Sequence, residues 1–99
     1  GGVTLPGKGA TMQGECHVCG RFGYVERHHA LGGRNRKKCN RYPLLIVPLC
    51  TECHRGTNGV HGKNGHELDF SLKQEAQHIF EANYGTRKQF LNTFGRLYI

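Results

Sequence analysis

Two C-x-x-C pairs, Cys16-His17-Val18-Cys19 and Cys50-Thr51-Glu52-Cys53, constrain this chain more than any other feature. Thirty residues separate them, and together they offer four soft thiolates, the donor set of a tetrahedral structural zinc site. Gly20, directly after the first pair, permits the tight turn that points backbone amides at sulfur. The count of five cysteines is odd and no apolar leader precedes them, so the spacing favours zinc in a reducing compartment over a disulfide framework. Cys39 is left over and is expected to be a small buried or loop thiol.

A staple of this kind suits the chain's size. With 99 residues and 36% hydrophobic content it can bury only a thin apolar core, which a metal would reinforce. No stretch approaches the ~20 apolar residues of a membrane span. The expectation is one domain over residues 15–99 after a flexible arm at residues 1–14, in a soluble cytoplasmic protein with no membrane partner.

Charge points to the partner. The formal net charge is +7 and the pI is near 9.5, which favours a polyanion. From Arg27 to Lys63 the sole acidic residue is Glu52, so the excess lies between and around the proposed zinc ligands. Arg34, Arg36, Lys37, Lys38 and Arg41, with Arg55, are the candidate phosphate contacts. A solvated basic face is the plain alternative for such a run.

Histidines add a second pattern. Phe22 to His28 has the aromatic and β-branched character of a short strand ending at the pair His28-His29. Neighbouring strand residues point to opposite faces, so these two predict different roles. Pro43 to Pro48 is the most apolar run and predicts a buried strand antiparallel to the first. Cys50 to Arg55 then opens a helical turn ending in His54, and Gly56, Gly59 and Gly62 exclude a long regular helix. The glycines let the chain fold back, which makes His61 a candidate metal ligand alongside His28 and His54. Further on, Ser71 with Gln74 and Thr86 with Gln89 read as capping boxes of two C-terminal helices, the first lined by Leu72, Ala76, Ile79 and Phe80, the second by Phe90, Leu91 and Phe94.

The order strand, Glu26-Arg27-His28-His29, glycine-rich loop with the basic run Arg34 to Arg41, apolar strand, Leu49-Cys50-Thr51-Glu52-Cys53-His54 resembles the HNH endonucleases of the ββα-metal class, in the branch stapled by two C-x-x-C knuckles. The resemblance spans about Cys16 to His61. More loosely, Arg34, Asn40 and Gly56-Thr57-Asn58-Gly59-Val60-His61-Gly62 are similar to small phage-borne nucleases of the recombination-enhancement type. The middle asparagine of the pattern is displaced: Leu44, Leu45 and Ile46 stand where it is expected, and Asn40 or Asn58 is the nearest substitute.

What the resemblance implies is an α+β fold, a small zinc-stapled HNH core with two C-terminal helices, and a DNA endonuclease or nickase. His29 would be the general base, Cys16, Cys19, Cys50 and Cys53 would hold structural zinc, and His28 and His54, with His61, would hold one catalytic cation (Mg²⁺, Mn²⁺, Ni²⁺ or Zn²⁺). DNA would be the partner, with room for a protein that positions or activates the enzyme, in a bacterial or phage-infected cell. The competing class is a non-catalytic zinc-ribbon or treble-clef module that binds nucleic acid. It explains the cysteines and the charge but gives no reason for the histidine pattern.

Overall fold

The computed structural model describes residues 12–99, so most of the expected arm at residues 1–14 lies outside the described residues. Its end does not: Gln13 and Gly14 already belong to a strand. The chain is a small α+β structure with two sheets of two strands each, and it divides into two compact units, residues 12–28 with 47–66 and residues 29–46 with 67–99. Among the described residues no helix is long and apolar enough to cross a membrane.

In the first unit, β1 (Gln13–Glu15) and β2 (Phe22–Tyr24) pair antiparallel, with Gln13 opposite Tyr24 and Glu15 opposite Phe22. The first knuckle is the turn between them. Cys16 N donates to Arg21 O, and Gly20 N to Cys16 O, both at 2.9 Å; Gly20 has φ +75°, a left-handed conformation that a side chain would disfavour.

The strand expected from Phe22 to His28 is two strands. β3 (Glu26–His29) pairs with β4 (Ile46–Leu49), and the chain changes partner at Val25. Phe22 and Tyr24 alternate outwards, then Val25 buries its side chain (1% exposed) and donates its N–H to Met12 O, which breaks the period. The apolar run before the second knuckle is also shorter as a strand than expected. Pro43–Leu45 forms a 3-10 turn, because proline at the first turn position supplies a preset φ and needs no N–H partner, and only Ile46 onwards extends. His17 N donates to Pro48 O at 2.8 Å, tying the first knuckle to the approach of the second.

α2 (Thr51–Arg55) is the single helical turn anticipated after Cys50. The glycine-rich segment behind it coils against its backbone: Val60 N donates to Cys53 O and His61 N to His54 O. A Cβ on Gly59 would stand 2.7 Å from the Cys53 carbonyl carbon, and one on Gly62 would strike the Gly56 carbonyl. These glycines are required by close backbone approach.

The second unit holds the apolar core. The basic run is helical up to Cys39 and not a loop throughout: a 3-10 turn at Gly33–Asn35 runs into α1 (Arg36–Cys39), and Asn40 and Arg41 form the turn that follows. Asn35 and Cys39, four residues apart, face inward, and Arg34, Arg36, Lys37, Lys38 and Arg41 are exposed. α3 (His66–Asn83) begins five residues before the Ser71 capping box that was expected to start it; Glu67 and Asp69 favour the earlier start by placing acids in the first turn, and Ser71 is an exposed helix residue. α4 (Arg87–Phe94) starts at the expected box, with Thr86 and Gln89 capping each other reciprocally. Leu72, Ala76 and Phe80 line the buried side of α3, and Phe90 and Phe94 that of α4. Leu91 is exposed, since a helix turns about 100° per residue and Phe90 already occupies the inward position.

Ala30, Leu31, Cys39 and Leu45 complete the core with Phe80, Phe90 and Phe94, whose rings meet at centroid distances of 4.8 to 5.9 Å. Gln77, wholly buried, accepts the backbone N–H of Tyr98 and Ile99 and donates to Glu81, fastening the chain's last residues to α3.

Candidate metal centres

Cys16, Cys19, Cys50 and Cys53 bring their sulfurs within 4.8 Å of one another. Four sulfurs held about 2.3 Å from a shared tetrahedral centre would stand about 3.8 Å apart. Cys19 Sγ and Cys50 Sγ are 3.7 Å apart, far beyond a disulfide bond. The set is therefore placed for a structural metal such as zinc. Burial would raise the Cys16 thiol, yet backbone amides of Cys19, Cys50 and Val18 and the Cys19 thiol outweigh it and hold the group down at about 6. Cys53 moves the other way, pushed up by burial, by sharing hydrogen bonds with the other three thiols and by the Cys16 charge. Only a cation at the centre would let all four ionise together. Cys39 takes no part; it is buried and donates to Leu31 O at 3.3 Å.

A second group gathers His28, His54 and His61, whose ligand nitrogens also lie within 4.8 Å of one another. Each comes from a different local device. His28 is buried on β3, His54 is on the last turn of α2, and His61 is returned to it by the glycine-rich coil. Ring centroids are 5.3 Å apart for His28 with His54 and with His61, and 4.8 Å for His54 with His61. Three imidazoles converging in this way form a nitrogen donor set that, when neutral, suits zinc, nickel and other transition cations. The donor chemistry thus fits a cation distinct from the one the cysteines would hold.

His29 is not in that group. It follows His28 on β3, and its Nε2 lies 3.1 Å from Asn40 Oδ1. An amide oxygen can only accept, so this contact places a hydrogen on Nε2. Asn40, one of the two substitutes named for the displaced asparagine, is thereby brought to His29; Asn58 instead accepts from Asn64 at 3.1 Å.

Among the expected phosphate contacts, Lys38 Nζ donates to Thr93 O at 2.7 Å and Arg55 pairs with Glu26 at 2.9 Å while remaining 65% exposed. Arg34, Arg36, Lys37 and Arg41 stand exposed on the 3-10 turn and α1.

One residue of the site, Glu26 in the stretch Glu26-Arg27-His28-His29, was given no role from the sequence. Glu26 Oε1 lies 2.8 Å from His54 Nδ1, and Oε2 receives Tyr24 OH at 3.2 Å and Arg55 at 2.9 Å. Burial raises its carboxyl, but the hydrogen bonds from His54 and Tyr24 and the charge of Arg55 prevail and hold it below the usual carboxylate range. The signal was present: two residues before His28 on one strand, Glu26 shares its face.

Fold and sites together define a small α+β protein with a four-cysteine cluster placed for structural metal and a separate group of three histidines. Comparison with family models, curated proteins and solved structures finds no match for this chain.

Proposed function

We propose that this chain is a metal-dependent endonuclease or nickase that hydrolyses phosphodiester bonds in DNA, built on an HNH-type core. The observation that carries the reading is the His28, His54 and His61 group, gathered apart from the four cysteines; a purely structural zinc module has no use for it. A divalent cation there would polarise a phosphate oxygen and stabilise the departing one.

The chain's own residues supply the rest. His29, next to His28 on β3 and 3.1 Å from Asn40 Oδ1 through its Nε2, is the base that takes the proton from the attacking water. Asn40 braces that ring, the role the displaced asparagine of the HNH pattern would have. Exposed Arg34, Arg36, Lys37 and Arg41 bind backbone phosphates without reading bases. Each charge removed there is expected to lower the salt slope of binding by about one.

The test is nicking of supercoiled plasmid with added Mg²⁺, Mn²⁺ or Ni²⁺. His29→Ala is expected to keep its zinc and its affinity for DNA and to lose roughly two to four orders of magnitude in cleavage, the range for removing a positioned base. His28→Ala should lose activity in a way that raised metal concentration partly restores. Cleavage by rigorously purified protein that neither substitution alters would overturn the nuclease reading in favour of the nucleic-acid-binding zinc module.

A further inference from the structure

We infer that Glu26 is the positioning residue of the histidine group: its carboxylate accepts a hydrogen bond from Nδ1–H of His54, leaves Nε2 bare towards His28 and His61, and so sets the group's affinity for a cation. The inference rests on the metal reading of those three histidines and adds a residue to it.

A neutral imidazole has one proton and two nitrogens, and free imidazole side chains favour the proton on Nε2. In that form His54 would present an N–H to the cation and could not ligate through Nε2. Glu26 reverses the preference. An ionised carboxylate only accepts, so the 2.8 Å contact between Oε1 and Nδ1 requires the proton on Nδ1. Nε2 is then the sole lone pair His54 can offer the group.

The carboxylate is itself held. Its two oxygens are divided, Oε1 to His54 and Oε2 to Tyr24 and Arg55, and both Glu26 and His54 side chains are only 12% exposed. A mobile surface pair would do little for either partner. Here three elements hold one acid in place: Tyr24 from β2, Glu26 from β3, and His54 with Arg55 from α2. Carboxylates that orient a ligating imidazole in this manner also raise its basicity, and losing one commonly costs about 10–100-fold in metal affinity. Arg55, held on Oε2, balances the charge that Glu26 brings to the group.

Two measurements on zinc-loaded protein test this, above the ordinary histidine pKa of about 6.5. Long-range ¹H–¹⁵N correlation without added cation reads the His54 tautomer: Nδ1–H in wild type, Nε2–H in Glu26→Ala. Calorimetry with Ni²⁺ reads affinity, expected to fall about 10–100-fold in Glu26→Ala. Glu26→Gln, nearly the same shape and still offering an amide oxygen, should keep the tautomer and lose less. It also serves if the alanine variant fails to fold, which its zinc content and amide dispersion reveal. An Nε2–H tautomer in wild type, or Ni²⁺ affinity unchanged in both variants, overturns the inference. Wild type that binds no Ni²⁺ beyond its zinc overturns the proposed function, and the tautomer measurement still decides what Glu26 does to His54.

Discussion

The two units of this chain are held together by different physics. Residues 12–28 with 47–66 bury Val25, Val47, Leu49 and Val60 but, among the described residues, no phenylalanine or tyrosine ring, and their order rests on four thiols, backbone bonds such as His17 N to Pro48 O, and a glycine coil. Residues 29–46 with 67–99 pack Phe80, Phe90 and Phe94 against Leu31 and Leu45, on two helices of which α3 alone runs 18 residues. Apolar burial is roughly proportional to area, and a unit without large side chains has little of it to gain. The lesson is a division of labour: both ligand groups lie in the unit that cannot hold itself by burial, and the apolar core lies in the other.

Metal removal should strain that contrast most. Chelating the reduced protein, or Cys50→Ser, is expected to abolish protection from hydrogen exchange across residues 16–28 and 47–55 while α3 and α4 keep theirs. Binding of structural zinc is worth about 10–16 kcal/mol in small zinc domains, more than the valines here can replace. Simultaneous loss of protection in both units would break the comparison.

Phe90→Ala attacks from the other side. It should destabilise the protein by about 3–5 kcal/mol, the cost of emptying a buried aromatic site, with the zinc stoichiometry unchanged in protein that remains folded. Denaturant titration with parallel metal analysis checks both halves of that statement. A smaller loss, about 1 kcal/mol, is expected for Thr86→Ala, which removes the oxygen that accepts Gln89 N and leaves the three histidines untouched. Any change in cation binding by that variant would blur the boundary between the units.

Legibility in the sequence follows the same division. Cysteine spacing is a local signal with one dominant solution, so Cys16, Cys19, Cys50 and Cys53 could be grouped by reading alone. Gly59 and Gly62 likewise announced the fold-back that delivers His61, and Thr86 with Gln89 fixed the start of α4. Where the reading failed, longer-range contacts decided. Val25 breaks a seemingly continuous strand because its side chain is buried and its N–H goes to Met12, and Ser71 sits inside α3 because the chain had already entered the helix at His66. The basic run looked like a loop since its inward residues, Asn35 and Cys39, are polar or small. Glu26 was passed over because its role exists only once His54 and Arg55 are folded against it.

The central claim is that this chain carries two metal sites of different kinds, and metal counting tests it most directly. Protein purified with zinc on its cysteines should take up one further equivalent of Ni²⁺ per chain. His61→Ala should lose that equivalent and keep the zinc, and Cys50→Ser should lose the zinc. A wild-type chain that binds no second equivalent, or a His61→Ala variant that binds it as tightly as wild type, would contradict the account.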